Sequence, residues 1–366
     1  MRVCYLSNND MPSKMANSIQ TVKMCEALVQ NGNDVLLISP NSEKIRDSIF
    51  DYYNVKTKFN FMKLKRYKKF PLGFRYYFFS IESIFASLKY KPDIYITRNF
   101  FTSFLLCLLR KKNILELHHP LDIESRVVRF ITKELKFFKS KYLIRFIAIS
   151  NESKNYYSKY LNLNDTRIHI LPSGSSLKKK INNNFKKKTK LKIGVFGSVY
   201  KWNIELIVKL SIIDRNNYYF VYGDKRNTKS KLSNKKNNLF FKDYVEYKNI
   251  EKELDKMDIL LMPYKQKITS GGNVGDITNF TSPLKLFDYL TTGKIIISSD
   301  LPALRQILTN KNSIFIKNFD NPNLWKLEIN KIINNFDKRK IFSINNFRLS
   351  KKYDLKKRAL RFLEGF

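Results

Sequence analysis

The chain has 366 residues, with 69 Lys and Arg against 31 Asp and Glu, for a formal net charge of +38. At roughly 150 residues per domain this length predicts two or three domains, and 43% hydrophobic residues supply their cores and exclude a disordered chain. No apolar run approaches the ~18 residues that span a bilayer; no signal peptide is expected; and three cysteines and three histidines without zinc spacing exclude a disulfide scaffold or a zinc site.

Short apolar runs at 3–7, 34–39, 93–97, 113–117, 146–150 and 168–171 read as strands. Helical stretches lie between them, such as 18–31, which Gly32 stops. Strands alternating with helices predict βαβ units and a parallel sheet. Residues 61–80 stand apart, with Lys63, Lys65, Arg66, Lys68, Lys69 and Arg75 among eight aromatic rings and no acid. A second stretch sets Arg126, Arg129, Lys133, Lys136 and Lys139 at roughly helical spacing around Phe130 and Ile131. Compositional bias over solvated faces would give the same total charge, so local clustering decides. Basic stems beside interfacial rings predict contact with an anionic membrane surface. A nucleic-acid partner is not expected, because no DNA or RNA motif accompanies the charge.

Residues 178–190, KKKINNNFKKKTK, have little to bury and read as a linker. The strand pattern then restarts at 192–196, with Gly197 next and a helix from near Trp202. Further strands are expected at 218–222, 239–241, 259–262, 295–298 and 313–316, with a loop over 225–238. The last residues, from 350, look helical and suited to packing back on either domain. The expected division is 1–175, a basic linker 176–190, a second domain 191–345 and a C-terminal helix 346–366. Two open α/β halves imply a cleft, with ligands at the carboxyl ends of the strands.

The most informative stretch is TSPLKLFDYLTTGK, residues 281–294. Ser282 suits an N-cap, Pro283 the first helical position, and Gly293 closes the helix. Amides near Leu284 and Lys285, with the helix dipole and the Lys285 charge, suit a diphosphate. The Asp288 carboxylate can accept two hydrogen bonds from a vicinal diol such as a ribose.

SPLKLFDYLTTGK resembles the SPxKLFEYMAxGKP block of GT-B-fold glycosyltransferases of family 4. Residues 259–264 and 298–305 resemble the family's strand before the donor loop and its continuation after the helix. In the first half, FIAIS (146–150) and ILPSG (170–174) resemble its IAIS and IPNG segments. The resemblance implies an α/β, GT-B architecture: two Rossmann-like parallel-sheet domains facing a cleft, the first for the acceptor and the second for the donor.

The implied activity is a hexosyltransferase-type reaction. A sugar passes with retention from a UDP- or GDP-linked nucleotide-sugar to a glycan or lipid-linked acceptor, in surface polysaccharide synthesis. No cofactor or essential metal is implied, since amides and basic groups neutralise the leaving diphosphate. A cytoplasmic place, peripheral on the inner face of the cell membrane, goes with it. Asp288 takes the place of the family glutamate on the ribose, and His118 that of the strand-end histidine facing the sugar, with His119 as its substitute. Asn17, Ser18 and Gln20 sit where the family has a glycine-containing donor loop. Ser198 and Asn203 stand at its Arg and Lys places, with Lys201 between them, and Gly223 and Tyr244 near its nucleobase pocket. Phe280 stands where the family's second acid is expected, leaving Asp276 or the loop 270–275 to contact the sugar. A nucleotide-sugar epimerase of the same fold and a catalytically weak scaffold are the alternatives.

Overall fold

The computed structural model describes residues 1–366 except 43–44, 66–69, 164, 182–188, 199, 224–237, 269–277 and 281–282. The chain forms two compact units. One comprises Met1–Ser173, Asn279–Ser282 and Leu355–Phe366; the other comprises Gly174–Thr278 and Pro283–Asp354.

The first unit is built on seven strands: β1 (Arg2–Leu6), β2 (Asp34–Pro40), β3 (Asn60–Leu64), β4 (Ile94–Thr97), β5 (Asn113–Leu117), β6 (Leu143–Ala148) and β7 (Ile168–Ile170). Their order is β3-β2-β1-β4-β5-β6-β7, and every neighbouring pair is parallel. Strands buried on both faces are mostly apolar, and β4 and β5 are buried throughout. One layer of core lies around Leu115, Leu117, Phe146 and Tyr157. Another lies around Leu6, Ile38 and Tyr95.

The second unit carries six parallel strands: β8 (Lys192–Phe196), β9 (Tyr218–Tyr222), β10 (Leu239–Lys242), β11 (Ile259–Met262), β12 (Ile295–Ser299) and β13 (Ile314–Ile316). Their order is β10-β9-β8-β11-β12-β13. In both sheets the order reverses beside the first strand, between β1 and β4 and between β8 and β11, which is where such sheets take ligands.

The stretch 61–80 is not one surface segment. It divides into the edge strand β3 and the helix Leu72–Ser87. Lys63 breaks the apolar pattern there, and an edge strand tolerates it because one side of the strand has no partner.

The C-terminal residues also divide differently from the expected boundary at 345. The helix Phe336–Lys352 stays with the second unit, and the helix Leu355–Phe362 belongs to the first. In that last helix Leu355, Arg358, Ala359 and Phe362 are buried, a 3–4 spacing that marks one inward face. Asn31 donates to the Lys356 carbonyl at 2.9 Å. Arg145, on β6, donates to the carbonyls of Arg361, Phe362 and Glu364, closing the helix end with a cation. Of the expected linker, 182–188 lie outside the described residues, while 176–181 count with the second unit. The expected loop at 225–238 lies outside them too, apart from Asn238.

Candidate active site

In the first unit the chemistry gathers at the carboxyl end of β5. Glu116 is the one charged residue of that strand and is 1% exposed. A buried carboxylate needs partners, and it has them on both oxygens. Oε2 accepts from Arg98 Nε at 2.9 Å and from the Tyr5 hydroxyl at 3.2 Å. Oε1 accepts from Arg358 Nη2 at 2.6 Å. Burial pushes the Glu116 carboxyl up, but Arg98, Arg358 and His118 outweigh it and hold it well below the usual carboxylate range.

His118 follows directly, two residues on and so on the same side of the strand direction. Its Nε2 lies 3.1 Å from Oε1 of Glu116 but is not aligned for a hydrogen bond, and it is buried without another partner. Burial lowers the imidazole first, Arg98 and Arg358 add to this, and Glu116 opposes them. The net result is a pKa of about 4. At neutral pH His118 is therefore an uncharged ring, a hydrogen-bonding group rather than a cation. His119 is committed elsewhere: its Nε2 lies 2.6 Å from Glu124 Oε1 and its carbonyl accepts from the Tyr157 hydroxyl.

The expected donor loop at Asn17, Ser18 and Gln20 is helix rather than loop, within the helix Ala16–Gln30. Without glycines nothing stops the helix from starting there, and local hydrogen bonds fix its first turn. Asn17 Nδ2 donates to Asn9 Oδ1 at 2.8 Å, and its Oδ1 accepts from the Ser18 amide. Ser13 Oγ donates to Ser18 Oγ at 2.8 Å. Gln20 is buried, and its Nε2 has no partner among the described residues.

In the second unit Gly197 ends β8 with φ +131°, a backbone shape that L side chains rarely adopt. A Cβ placed there would stand 3.2 Å from Trp202 Nε1 and 3.6 Å from Lys285 Cγ. Trp202 is 2% exposed, packs at a tilt of 52° against Tyr264 with ring centroids 4.4 Å apart, and its Nε1 finds no acceptor among the described residues. Ser198 and Lys201 close the same turn, with the Lys201 amide donating to the Ser198 carbonyl at 3.1 Å. Burial lowers the Lys201 ammonium below its ordinary value. Asn203 is spent on structure: Oδ1 accepts from the Leu206 amide, capping the helix Ile204–Ile213, and Nδ2 donates to Asp320 at 2.9 Å.

Ser282 lies outside the described residues, as do Asp276 and the loop 270–275. The helix runs Leu284–Thr291 with Pro283 at its cap, one residue later than expected, and Gly293 follows it at φ +61°. Proline suits the cap as well as the first turn, having no amide to leave unpaired. Asp288 is only 3% exposed. Its Oδ1 accepts from Ser175 Oγ at 2.8 Å and its Oδ2 from Lys285 Nζ at 3.2 Å. Gly223 and Tyr244 follow neighbouring strands, where the Gly223 amide donates to the Lys242 carbonyl at 3.2 Å. Phe280 packs edge-on against Tyr156 at 5.2 Å, so at the acid's position stands an apolar contact.

Sequence reading missed Glu116, Arg98, Arg358 and Ser175. A signal existed for the first, since an acid inside an otherwise buried, largely apolar strand must be paired.

Residues 18–179 match the model of Glycosyltransferase Family 4. Over these residues, somewhat under half of the chain, it is similar to that family. A search of curated protein sequences returned no match. Among solved structures, HepE of Anabaena in complex with UDP-glucose superposes with a TM-score of 0.70 at 12% identity, over 100% of this chain and 98% of that one. A glycosyltransferase of Rickettsia africae gives 0.69 at 14%, over 100% and 99%. WaaG, a glycosyltransferase involved in lipopolysaccharide biosynthesis, gives 0.64 at 12%, over 100% of both. What these share with the chain is the fold. With its two parallel sheets and this match, the chain is a glycosyltransferase of GT-B architecture. Among the described residues no helix is long and apolar enough to cross a membrane.

Proposed function

We propose that this glycosyltransferase moves a sugar from a UDP- or GDP-linked donor to a glycan or lipid-linked acceptor, with retention and without an essential metal, in surface polysaccharide synthesis. The bond from the anomeric carbon to the diphosphate breaks, and one to the acceptor oxygen forms. The nucleoside diphosphate leaves and the acceptor proton passes to it or to water.

The observation that carries this reading is the bare Cα of Gly197 beside Lys285 at the start of the helix Leu284–Thr291. A diphosphate there meets the helix dipole, Lys285 and the desolvated Lys201. It would draw Lys285 away from Asp288, freeing Oδ2 for a ribose hydroxyl while Ser175 holds Oδ1. The UDP-glucose in HepE and the lipopolysaccharide role of WaaG agree with a nucleotide-sugar and a glycan acceptor.

Calorimetric titration with UDP, GDP and ADP in the presence of a chelator tests it. One nucleotide should saturate, and Asp288→Ala should weaken it by about 1.5–3 kcal/mol, the worth of one charged hydrogen-bonding group. An unchanged affinity in a folded Asp288→Ala sample would leave Asp288 as a tether for Ser175 only.

The acceptor side includes an anionic membrane. On the helix Leu72–Ser87, with Leu88 just after it, Phe74, Phe78, Ile81, Phe85 and Leu88 are each 40–64% exposed. Their 3–4 spacing makes one apolar stripe. Tyr77 joins this helix to the cap of the next basic one, its hydroxyl 2.8 Å from Ser125 Oγ. There Val127 and Phe130 are exposed between Arg126 and Lys133. Apolar rings flanked by cations complement an anionic bilayer. At roughly 1 kcal/mol per basic residue, reversing Arg126 and Lys133 to Glu should cut pelleting with phosphatidylglycerol vesicles by well over tenfold. Equal pelleting on neutral vesicles would rule out the electrostatic part of this docking.

A further inference from the structure

One member of the buried cluster arrives from the far end of the chain. Arg358 lies 242 residues after Glu116, and the last helix carries it into the first unit, where it is 5% exposed. Its guanidinium is held on every side. Nε donates to the Pro172 carbonyl at 2.8 Å, Nη2 to the Leu171 carbonyl at 3.1 Å, and Nη1 approaches Met24 Sδ at 3.6 Å. The remaining bond, at 2.6 Å, goes to Oε1 of Glu116.

That oxygen has a second suitor. His118 Nε2 lies 3.1 Å from the same atom, while Oε2 is already taken by Arg98 and Tyr5. Two nitrogens approach one oxygen, and the shorter, charge-assisted bond is the one from Arg358, which draws Oε1 toward itself. His118 is left with a buried Nε2 that has no hydrogen bond, an uncommon state for a buried polar atom. The exposed quarter of the side chain is on atoms other than Nε2.

We propose that Arg358 is a positioning residue: by drawing Oε1 of Glu116 to itself it stops the carboxylate from capturing His118 and so sets the orientation in which the exposed part of this side chain can meet a sugar hydroxyl. This makes the C-terminal helix a working part of the first unit rather than a strap. The sugar-facing half of the statement rests on the function proposed above; the competition for Oε1 does not.

Without Arg358, Glu116 is free to form an ion pair with His118. Removing the cation and gaining the carboxylate both favour the charged ring. The experiment is an NMR titration of the His118 imidazole in the full chain, assigned with His118→Asn, for wild type, Arg358→Met and Arg358→Lys. In Arg358→Met the His118 transition should move up by about one pH unit or more. Sugar transfer should fall about tenfold in kcat, with nucleotide affinity unchanged, because the nucleotide is assigned to the second unit. Arg358→Lys keeps a cation but loses the fork that grips two carbonyls and the carboxylate. Its His118 transition should fall between the other two.

A folded Arg358→Met with wild-type His118 titration overturns the proposal, whatever happens to kcat, since Arg358 is then a tether. Should that variant not fold, wild-type titration in Arg358→Lys overturns it equally. A wild-type protein that transfers no sugar defeats the proposed function, while the imidazole titration still decides the role of Arg358.

Discussion

Replacing Glu116 with Ala should cost the first unit about 3–5 kcal/mol, the usual penalty for breaking a buried ion pair from one side. The reason is what remains behind. The Arg98 and Arg358 side chains are 12% and 4% exposed, and Glu116 is the carboxylate that pairs with both. Removing it leaves two buried cations facing each other across a small cavity. Glu116→Gln keeps the shape and one acceptor, so it should cost less than Ala. Combining Glu116→Ala with Arg358→Met should recover part of the loss, because one of the stranded charges goes with it. Urea unfolding followed by circular dichroism reads all three. A loss below about 1 kcal/mol for Glu116→Ala would mean that water reaches the arginines and the cluster is not sealed.

His118→Ala should lower sugar transfer by about 10²–10³, the cost of removing one hydrogen-bonding group from a developing charge, while nucleotide affinity changes less than twofold. The two readouts separate because His118 lies in the first unit and the residues assigned to the nucleotide lie in the second. Equal losses in both would make the residue structural.

The pH dependence follows from the burial of the ring. A pKa of about 4 in place of the ordinary 6.5 means the unfolded chain takes up this proton first as pH falls. Between those values the unfolded state binds more protons, so stability rises with pH there and is lost as pH drops from 6.5 toward 4. The slope from this one group is at most about 1.4 kcal/mol per pH unit. His118→Asn should flatten that part of the stability curve. Transfer, in contrast, should show no limb near pH 6.5 from His118, because the ring stays neutral through that range in the folded chain.

Much of this architecture was legible one residue at a time. Strands such as β5, β8 and β11 fall at the expected residues because a parallel strand buried on both faces is apolar over most of its length. Gly293 and Pro283 mark the ends of the helix that carries Asp288 for equally local reasons. The edge strand β3 was hidden, because an edge is free to carry lysines and then reads as surface.

The site was legible only where the group and its surroundings lie close in sequence. His118 at the end of its strand and Asp288 in its helix could be named from neighbours within a few residues. Their partners could not. Arg98 and Arg358 reach Glu116 from 18 and 242 positions away, and Ser175 reaches Asp288 from 113. Hydrophobic periodicity reports which face of an element is buried, but it carries no information about which distant charge shares the burial. The sequence by itself therefore determined the two α/β halves, most of the strands and the candidate residues at their ends. Only the tertiary structure decided that His118 is neutral and that the last helix belongs with the first unit. The first follows from burial of the imidazole beside two arginines, and the second from the buried face of the last helix and the Arg358 cation it carries to the buried Glu116.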